Sequence, residues 1–342
     1  MRMTIREIAK LAKVSPAAVS FVLNGKKGVS EESKARILKV VEENNYRIDQ
    51  NRKRKKSRKK SMANVLLIKF WESGMLAEEN QSFVSTIIDS ISSKLHQHNY
   101  GLIMHVENES LEKSLQEIDF KSCCATIVIG TELSREAYAA LNKIPTPYIM
   151  VDNAGLGLVC NSVTVDNSSN VYTALSYLKE NGHKEIGYLR SSLDAENLIE
   201  RSEAFKRWVQ VLDFEFVKDA EFYLTPTLEG AYKDMSLALE KECDLPSCLY
   251  ADNDTIALGA IKALKERGYK IPQDISIVGM DDIPFASVSS PALTTVCAQK
   301  EFIGHVAVEQ LLALLDDPNY QSVKTYVTGK LIERASVATI SS

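Results

Sequence analysis

From Asn64 onwards, short apolar runs alternate with amphipathic stretches, and this alternation restricts the fold more than any other feature of the chain. The runs are VLLI at 65–68, LIMH at 102–105, TIVI at 126–129, YIMV at 148–151, IGYL at 186–189, CLYA at 248–251 and ISIVG at 275–279. Each is too short for a buried helix, and each places apolar side chains at consecutive positions, as a strand covered on both faces requires. Between them, 3.6-residue periodicity predicts helices near 82–97, 134–143, 168–181, 199–212, 229–240, 254–267 and 302–315. Such alternation specifies parallel, doubly wound sheets, and there is too much of it for one sheet. Two similar α/β lobes are expected, with the chain crossing between them near Val165, near Val296 and in the 323–329 region.

Residues 3–45 follow a different rhythm. Ile5, Ile8, Ala9, Leu11 and Ala12 recur at helical spacing, and Thr4 with Glu7 has the form of a capping box. Ser15 and Pro16 then suit an N-cap and a first helical position, and Val19, Val22 and Leu23 share one face of a second helix. Asn24-Gly25 supplies a stop, and Ser30 followed by Ala35, Ile37, Leu38 and Val41 begins a third helix. Three short helices joined by tight turns form a helix-turn-helix head. Any small helical bundle would show the same periodicity, but charge separates the two readings. Residues 1–60 hold 18 Lys and Arg against six Asp and Glu, whereas the remainder holds 23 against 39. The modest net charge of -4 therefore hides a basic end suited to a polyanion and an acidic body that is not.

Other classes find little support. With 342 residues, 45% of them hydrophobic, the chain can bury two or three cores. Behind Arg2 there is neither an apolar stretch nor a small-residue cleavage site, and no segment approaches 18 consecutive apolar residues, so a cytoplasmic protein with no membrane partner is expected. Cysteines 123, 124, 160, 243, 248 and 297 lack C-x-x-C or His pairing, which argues for reduced thiols and against a metal site. The five His are scattered, and no phosphate-loop, nucleophile-elbow or zinc-protease motif occurs, so no catalytic residue and no cofactor is expected.

The segments TIREIAKLAKVSPAAVSFVLNGKKGVS, ENGHKEIGYL, ADNDTIALGAIKAL, PQDISIVGMDDIPFA and PALTTV follow one another in an order that resembles the LacI/GalR family of transcriptional regulators over about residues 3–337. The resemblance implies a helix-turn-helix domain at 1–46, a hinge at 47–62 and a periplasmic-binding-protein-like effector and dimerisation domain at 63–342. Its lobes would comprise about 63–165 with 297–325, and 166–296 with 326–342. It also implies a homodimer on double-stranded operator DNA, controlled by a small molecule held between the lobes. Ligands in such folds sit at the carboxyl ends of strands. Asp152, Arg201, Asn253 and Asp281 stand at positions whose family counterparts bind the effector, and carboxylates with an Arg fork suit a polyhydroxy ligand. An Asp after a strand also serves as a helix N-cap, an alternative for Asp152 and Asp281 and more so for Asp254. Phe70, Trp71 and Phe83 either stack on an apolar sugar face or pack beneath the 72–80 loop. The expected function is repression of a carbohydrate-use operon. A purine- or phosphoprotein-responsive regulator of the same family is the rival. A free-standing sugar-binding protein would lack the basic head and carry a signal peptide.

Candidate DNA contacts in the head are Thr4, Ser15, Pro16, Ala17, Ala18, Ser20, Phe21 and Asn24. Pro16 and Ala17 stand where family members often carry base-contacting side chains, and Phe21 replaces a frequent Arg. Bidentate reading of guanine or adenine is thereby weakened in favour of thymine-methyl contact by Ala17 or Phe21, unless Phe21 belongs to the core. In the hinge, the family pattern Y-x-P-N-x-x-A-R-S-L-R meets Tyr46-RIDQNRKRKK, with Ile48 for Pro, Arg52 for Ala and Lys55 for the Leu that wedges into the minor groove. Arg52, Lys53, Arg54, Lys55 and Lys56 can instead bind phosphates or enter a narrow A·T minor groove, the alternative being a solvated linker. If they bind phosphates, replacing Lys55 and Lys56 by Gln removes up to about four contacts from a dimer. The slope of log K against log salt should then flatten by roughly 3 to 4, at about 0.9 per phosphate. An unchanged slope in a salt titration of operator binding would make the run a linker.

Overall fold

The computed structural model describes residues 4–23, 28–44, 62–70, 81–107, 111–241, 244–317 and 319–340. Asn24, Arg52 to Lys56 and Trp71 fall outside the described residues. Contacts divide the chain into two units, residues 1–61 and 62–342, each taken by itself below.

The first unit has three helices: α1 (Ile5–Ala12), α2 (Pro16–Leu23) and α3 (Glu31–Glu43). The capping box at α1 forms as expected, with Thr4 N–H donating to Glu7 Oε2 at 2.6 Å and Glu7 N–H donating to Thr4 Oγ1 at 3.4 Å. Lys13, in the left-handed region at φ 54°, ends α1 by returning its N–H to the carbonyls of Ala9 and Lys10. Ile8, Ala9, Ala12, Val19 and Ile37 are buried together, which closes a small core among the three helices.

The second unit contains two six-stranded sheets. The first comprises β1 (Ala63–Phe70), β2 (Tyr100–Glu107), β3 (Cys123–Ile129), β4 (Tyr148–Val151), β5 (Asn161–Val165) and β11 (Lys324–Val327), in the order β11-β5-β4-β3-β1-β2, all parallel. The second comprises β6 (Glu185–Ser191), β7 (Glu215–Leu224), β8 (Cys248–Ala251), β9 (Ser276–Asp281), β10 (Thr294–Cys297) and β12 (Lys330–Ile332), in the order β12-β10-β9-β8-β6-β7, with only the β10–β12 pair antiparallel. Helices α4 (Gln81–Gln97), α5 (Leu111–Glu117), α6 (Tyr138–Leu141) and α12 (Lys300–Asp316) pack on the first sheet. Helices α7 (Asn167–Glu180), α8 (Glu196–Val211), α9 (Leu228–Ala238), α10 (Asp254–Glu266) and α11 (Pro284–Val288) pack on the second.

Both sheets are covered on both faces, which is why their central strands read as unbroken apolar runs. In β1, Val65 and Leu67 join Ile87, Ile91 and Ile303 on one side, while Leu66 and Ile68 join Val128 and Met150 on the other. On one face of the second sheet, Tyr188, Phe205 and Tyr250 stack with ring centroids 4.2 to 5.6 Å apart. The LIMH run behaves differently, because β2 is an edge strand whose Ile103 and Met104 are exposed. The chain crosses between lobes at 165–167, 297–300 and 327–330, so the last crossing lies just beyond the 325/326 boundary expected from sequence.

Helices α9 and α10 cross at their closest point over Gly259. A Cβ there would lie 2.7 Å from Ala231 Cβ and 2.8 Å from both Leu228 O and Tyr232 N. Ala would otherwise favour the helix by about 1 kcal/mol, but backbone atoms cannot yield as a flexible side chain can. Gly259→Ala should lower stability by about 1–3 kcal/mol, read as a fall in melting temperature. A higher melting temperature would show that the two helices separate freely.

Candidate functional site

In the head, Ser15 Oγ accepts from Ala18 N–H at 3.2 Å and so caps α2. Thr4, Ser15, Pro16 and Ala17 are exposed, and Ser20 is half-buried. Two expectations change. Ala18, next to the buried Val19, is half-buried and packs against the head's core with Val22 and Leu23, so its side chain is shared with that core. Phe21 is 40% exposed and takes no part in that core, which closes the alternative that it is a core residue.

In the second unit the polar groups gather at the carboxyl ends of the strands of both sheets. Arg201, on the second turn of α8, is buried and fully engaged. Its Nε donates to Asn167 Oδ1 at 2.9 Å, Nη1 donates to the Asp252 carbonyl at 2.5 Å, and Nη2 donates to Asp281 Oδ1 at 2.8 Å. Asp281 ends β9 with φ at 103°, and Asp282 follows at 53°. Lys300, at the start of α12, donates to both of their carbonyls, and Arg334 holds the Asp282 carboxylate at 2.6 Å. Asp152, just after β4 and also at positive φ (62°), takes Thr131 Oγ1 at 2.6 Å on one oxygen and Asn197 Nδ2 at 3.0 Å on the other. Non-glycine residues at positive φ are costly, and their concentration in these carboxylates marks a site whose geometry is imposed by its surroundings.

The lobes meet at this array. Asn197 belongs to the second lobe and Asp152 to the first, and Asn197 Nδ2 also reaches the Asp152 carbonyl at 3.0 Å. Nearby, the Arg135 fork of the first lobe grips Glu196 of the second at 2.8 and 2.6 Å, with the Glu196 side chain almost wholly buried.

Other expected residues are placed differently. Asn253 caps α10, its Oδ1 accepting from Ile256 N–H at 2.9 Å, so that end of its amide serves the helix. Phe70 is buried among Leu66, Ile68 and Met150 in the first lobe's core, and Phe83 is buried with Val84 and Ile87, its ring 5.8 Å from the Lys300 ammonium. Both pack as core residues and neither is open for stacking. Asn167, Asn197, Thr131, Arg135, Glu196, Asp252 and Lys300 were not singled out from sequence. Asn197 stands four residues before Arg201, a spacing that puts both on one helix face, and that signal could have found it.

Burial shapes the charges. It raises Asp152 to about 7, against the hydrogen bond from Thr131 and the charge of Arg201. It raises Asp252 to about 6, although Ser191 N–H and Tyr188 Oη donate to that carboxyl. Asp254 is pushed to about 8 by burial, against the hydrogen bond from Thr295 and with the nearby charge of Asp281 adding to the rise. Burial opposes the charge on Arg201, but Asp281 outweighs this and its pKa is raised. The array thus holds more carboxylates than its one fully buried guanidinium balances. Among the described residues no group of His, Cys, Asp and Glu could hold a metal ion, and no helix is long and apolar enough to cross a membrane.

A three-helix head joined in one chain to a two-lobed α/β body, with a polar array between the lobes, defines a DNA-binding regulator with an effector-binding domain. Residues 4–49 match the family of bacterial regulatory proteins of the LacI type, and residues 175–337 match a periplasmic binding protein-like domain. The two parts of the chain thus match the two parts of a LacI-family transcriptional regulator, a helix-turn-helix head and a periplasmic-binding-protein-like body. It is 28% identical over 347 residues to the HTH-type transcriptional repressor PurR of Vibrio atlanticus, covering 98% of this chain and 99% of that one. It is 27% identical over 323 residues to the ribose operon repressor of Haemophilus influenzae, covering 92% and 93%. The fold matches the lac repressor dimer bound to operator and the anti-inducer ONPF with a TM-score of 0.71, at 20% identity, over 99% of this chain and 100% of that one.

The raised carboxyls fix the direction of a pH effect. An acid whose folded pKa lies above its unfolded value binds more protons when folded, so stability falls as pH rises between the two. Stability should therefore decline from about pH 4 to pH 8 through Asp152, Asp252 and Asp254. Asp254→Asn keeps an acceptor for the Ile283 N–H, which lies 2.9 Å from Oδ2, and a donor for Thr295. Denaturant unfolding of this variant should show greater stability than the parent at pH 8 and a shallower decline. Equal pH dependence would show that Asp254 ionises freely.

Proposed function

We propose that this regulator is a repressor of a carbohydrate-use operon, acting as a homodimer and controlled by an uncharged polyhydroxy ligand, a sugar, bound between its lobes. The observation that carries the reading is the Arg201–Asp281 pair beside Asp152 and Asn197, in which hydroxyl-binding oxygens and amides from both lobes converge. The charge of Arg201 is already balanced by Asp281, so an anionic ligand such as a phosphosugar or sugar acid would meet a carboxylate-rich wall. A neutral polyol can donate to the carboxylates without that penalty. The likeness to a ribose operon repressor supports the carbohydrate reading. The same-family alternative, a purine co-effector, is supported by the likeness to PurR, but among the described candidates Phe70 and Phe83 are both held in the core and offer no ring to stack on. A phosphoprotein co-effector would call for a cationic face, whereas residues 61–342 carry an acidic excess.

Two further observations support the homodimer. One head covers one half-site, and a symmetric operator has two. An apolar groove lies between Leu228, Leu258 and Ile261 on one side and Phe285 and Val288 on the other, with Phe285 67% and Val288 76% exposed. An exposed apolar patch of that kind suits a contact with a second copy of the chain.

Removing Arg201 outright would strand Asp281 and the Asp252 carbonyl without a partner, at a cost of about 3–5 kcal/mol in stability. Arg201→Lys keeps the cation and loses the fork. A thermal-shift screen of sugars, sugar acids, phosphosugars and purines on the full chain should single out a neutral sugar. Calorimetry on Arg201→Lys should then show roughly 1.5–3 kcal/mol less affinity for it. Preferential binding of a purine or phosphosugar, or unchanged affinity in the folded variant, would overturn the reading.

A further inference from the structure

Helix α2 has the composition Pro-Ala-Ala-Val-Ser-Phe-Val-Leu. It contains no Arg, Lys, Asn, Gln, Asp or Glu, the side chains that make paired hydrogen bonds to base edges in the major groove. Burial divides it cleanly. Val19 is fully buried, and Ala18, Val22 and Leu23 pack on the core, which leaves Pro16, Ala17 and Phe21 exposed with Ser20 half-buried between them. Ala17 and Phe21 are four residues apart and so stand one above the other on the outer face. The Phe21 ring lies over Gly28, whose added Cβ would sit 3.7 Å from it; at φ +121° that position favours glycine and leaves the ring room.

An apolar face at the basic end of the chain, where residues 1–60 hold 18 Lys and Arg against six Asp and Glu, is unusual for a solvated surface, and the charge points to a duplex as its occupant. Within the major groove only one base substituent is apolar, the 5-methyl group of thymine. We infer that α2 reads its operator through thymine 5-methyl groups, contacted by Ala17 and Phe21, in place of donor and acceptor edges. The half-site is accordingly A·T-rich where α2 enters. Phosphate contacts supply affinity and register, and the methyl groups supply the sequence information that this helix can collect.

Deoxyuridine tests this directly, because it lacks only the methyl group and keeps every hydrogen-bonding atom of thymine. With the full chain, an operator is selected from a random duplex library, and its thymines are then replaced one at a time. Recovery of a selected operator itself establishes DNA binding by the chain, so the comparison of thymine with deoxyuridine bears on the methyl reading alone. Under α2, each replacement should weaken binding about fourfold, and about fifteenfold when both half-sites are changed, the loss for one buried methyl-sized group. Thymines outside the half-sites should be insensitive. Phe21→Ala and Ala17→Gly, each checked for an unchanged melting temperature, should abolish the discrimination at one position apiece. Equal binding of the thymine and deoxyuridine operators at every position would overturn the inference. So would a selected half-site without thymine, or one weakened instead by 7-deazaguanine, which lacks a hydrogen-bond acceptor.

Discussion

One buried guanidinium organises the second lobe's face of the cleft. Arg201 joins the start of α7 through Asn167, the end of β8 through the Asp252 carbonyl and the end of β9 through Asp281. Three elements distant in sequence are thereby fixed at a single point. A charge so deeply buried persists only with a close counter-charge and full hydrogen bonding, and Asp281 with two neutral acceptors provides both. Positive φ at Asp281 and Asp282 is a consequence, because the strand end must turn its carboxylate back towards Arg201 while Lys300 holds both carbonyls from the other side.

The same helix carries the contacts to the other lobe. Glu196, Asn197 and Arg201 lie within the first two turns of α8, so a ligand that displaces any of them acts on all three. The Arg135–Glu196 pair and the Asp152–Asn197 bonds hold the lobes together where the raised carboxyls sit. A ligand that competes for these bonds would act on the contacts between the lobes, which is where the proposed allosteric control would have to operate.

Much of this fold is legible in the sequence because parallel strands sandwiched between helices must be apolar throughout. Where that condition fails, the pattern fails as well. β5 is Asn-Ser-Val-Thr-Val yet wholly buried, its polar groups satisfied by bonds such as Ser162 Oγ to the Ala154 carbonyl and Asn161 Oδ1 to Val323 N–H. β10 and β12 are equally quiet: Thr295 gives its hydroxyl to Asp254, and β12 is only three residues long. In the site, chemistry-bearing types at strand ends drew the eye to Asp152 and Asp281, while neutral amides did not. Asn197 is signalled only by its spacing to Arg201, and Asn167 gains its role from the packing of α7 against α8, which no local pattern records. Asn253 and Phe70 show the converse, since a helix start needs a cap and a strand end in the core needs a filler. In the head, the spacing located all three helices, but only burial shows that Ala18 shares the core and Phe21 does not.

We propose that Arg201 both pins the cleft and senses the ligand. The most direct measurement is the nitrogen-15 resonance of its Nε–H in the full-length chain, assigned by its disappearance in Arg201→Lys and followed while a neutral sugar that raises the melting temperature is added. The expected result is a slowly exchanging Nε–H without sugar, whose shift changes over the same concentration range that alters operator binding. A resonance that exchanges rapidly from the outset, or that stays fixed while operator affinity changes, would contradict the claim.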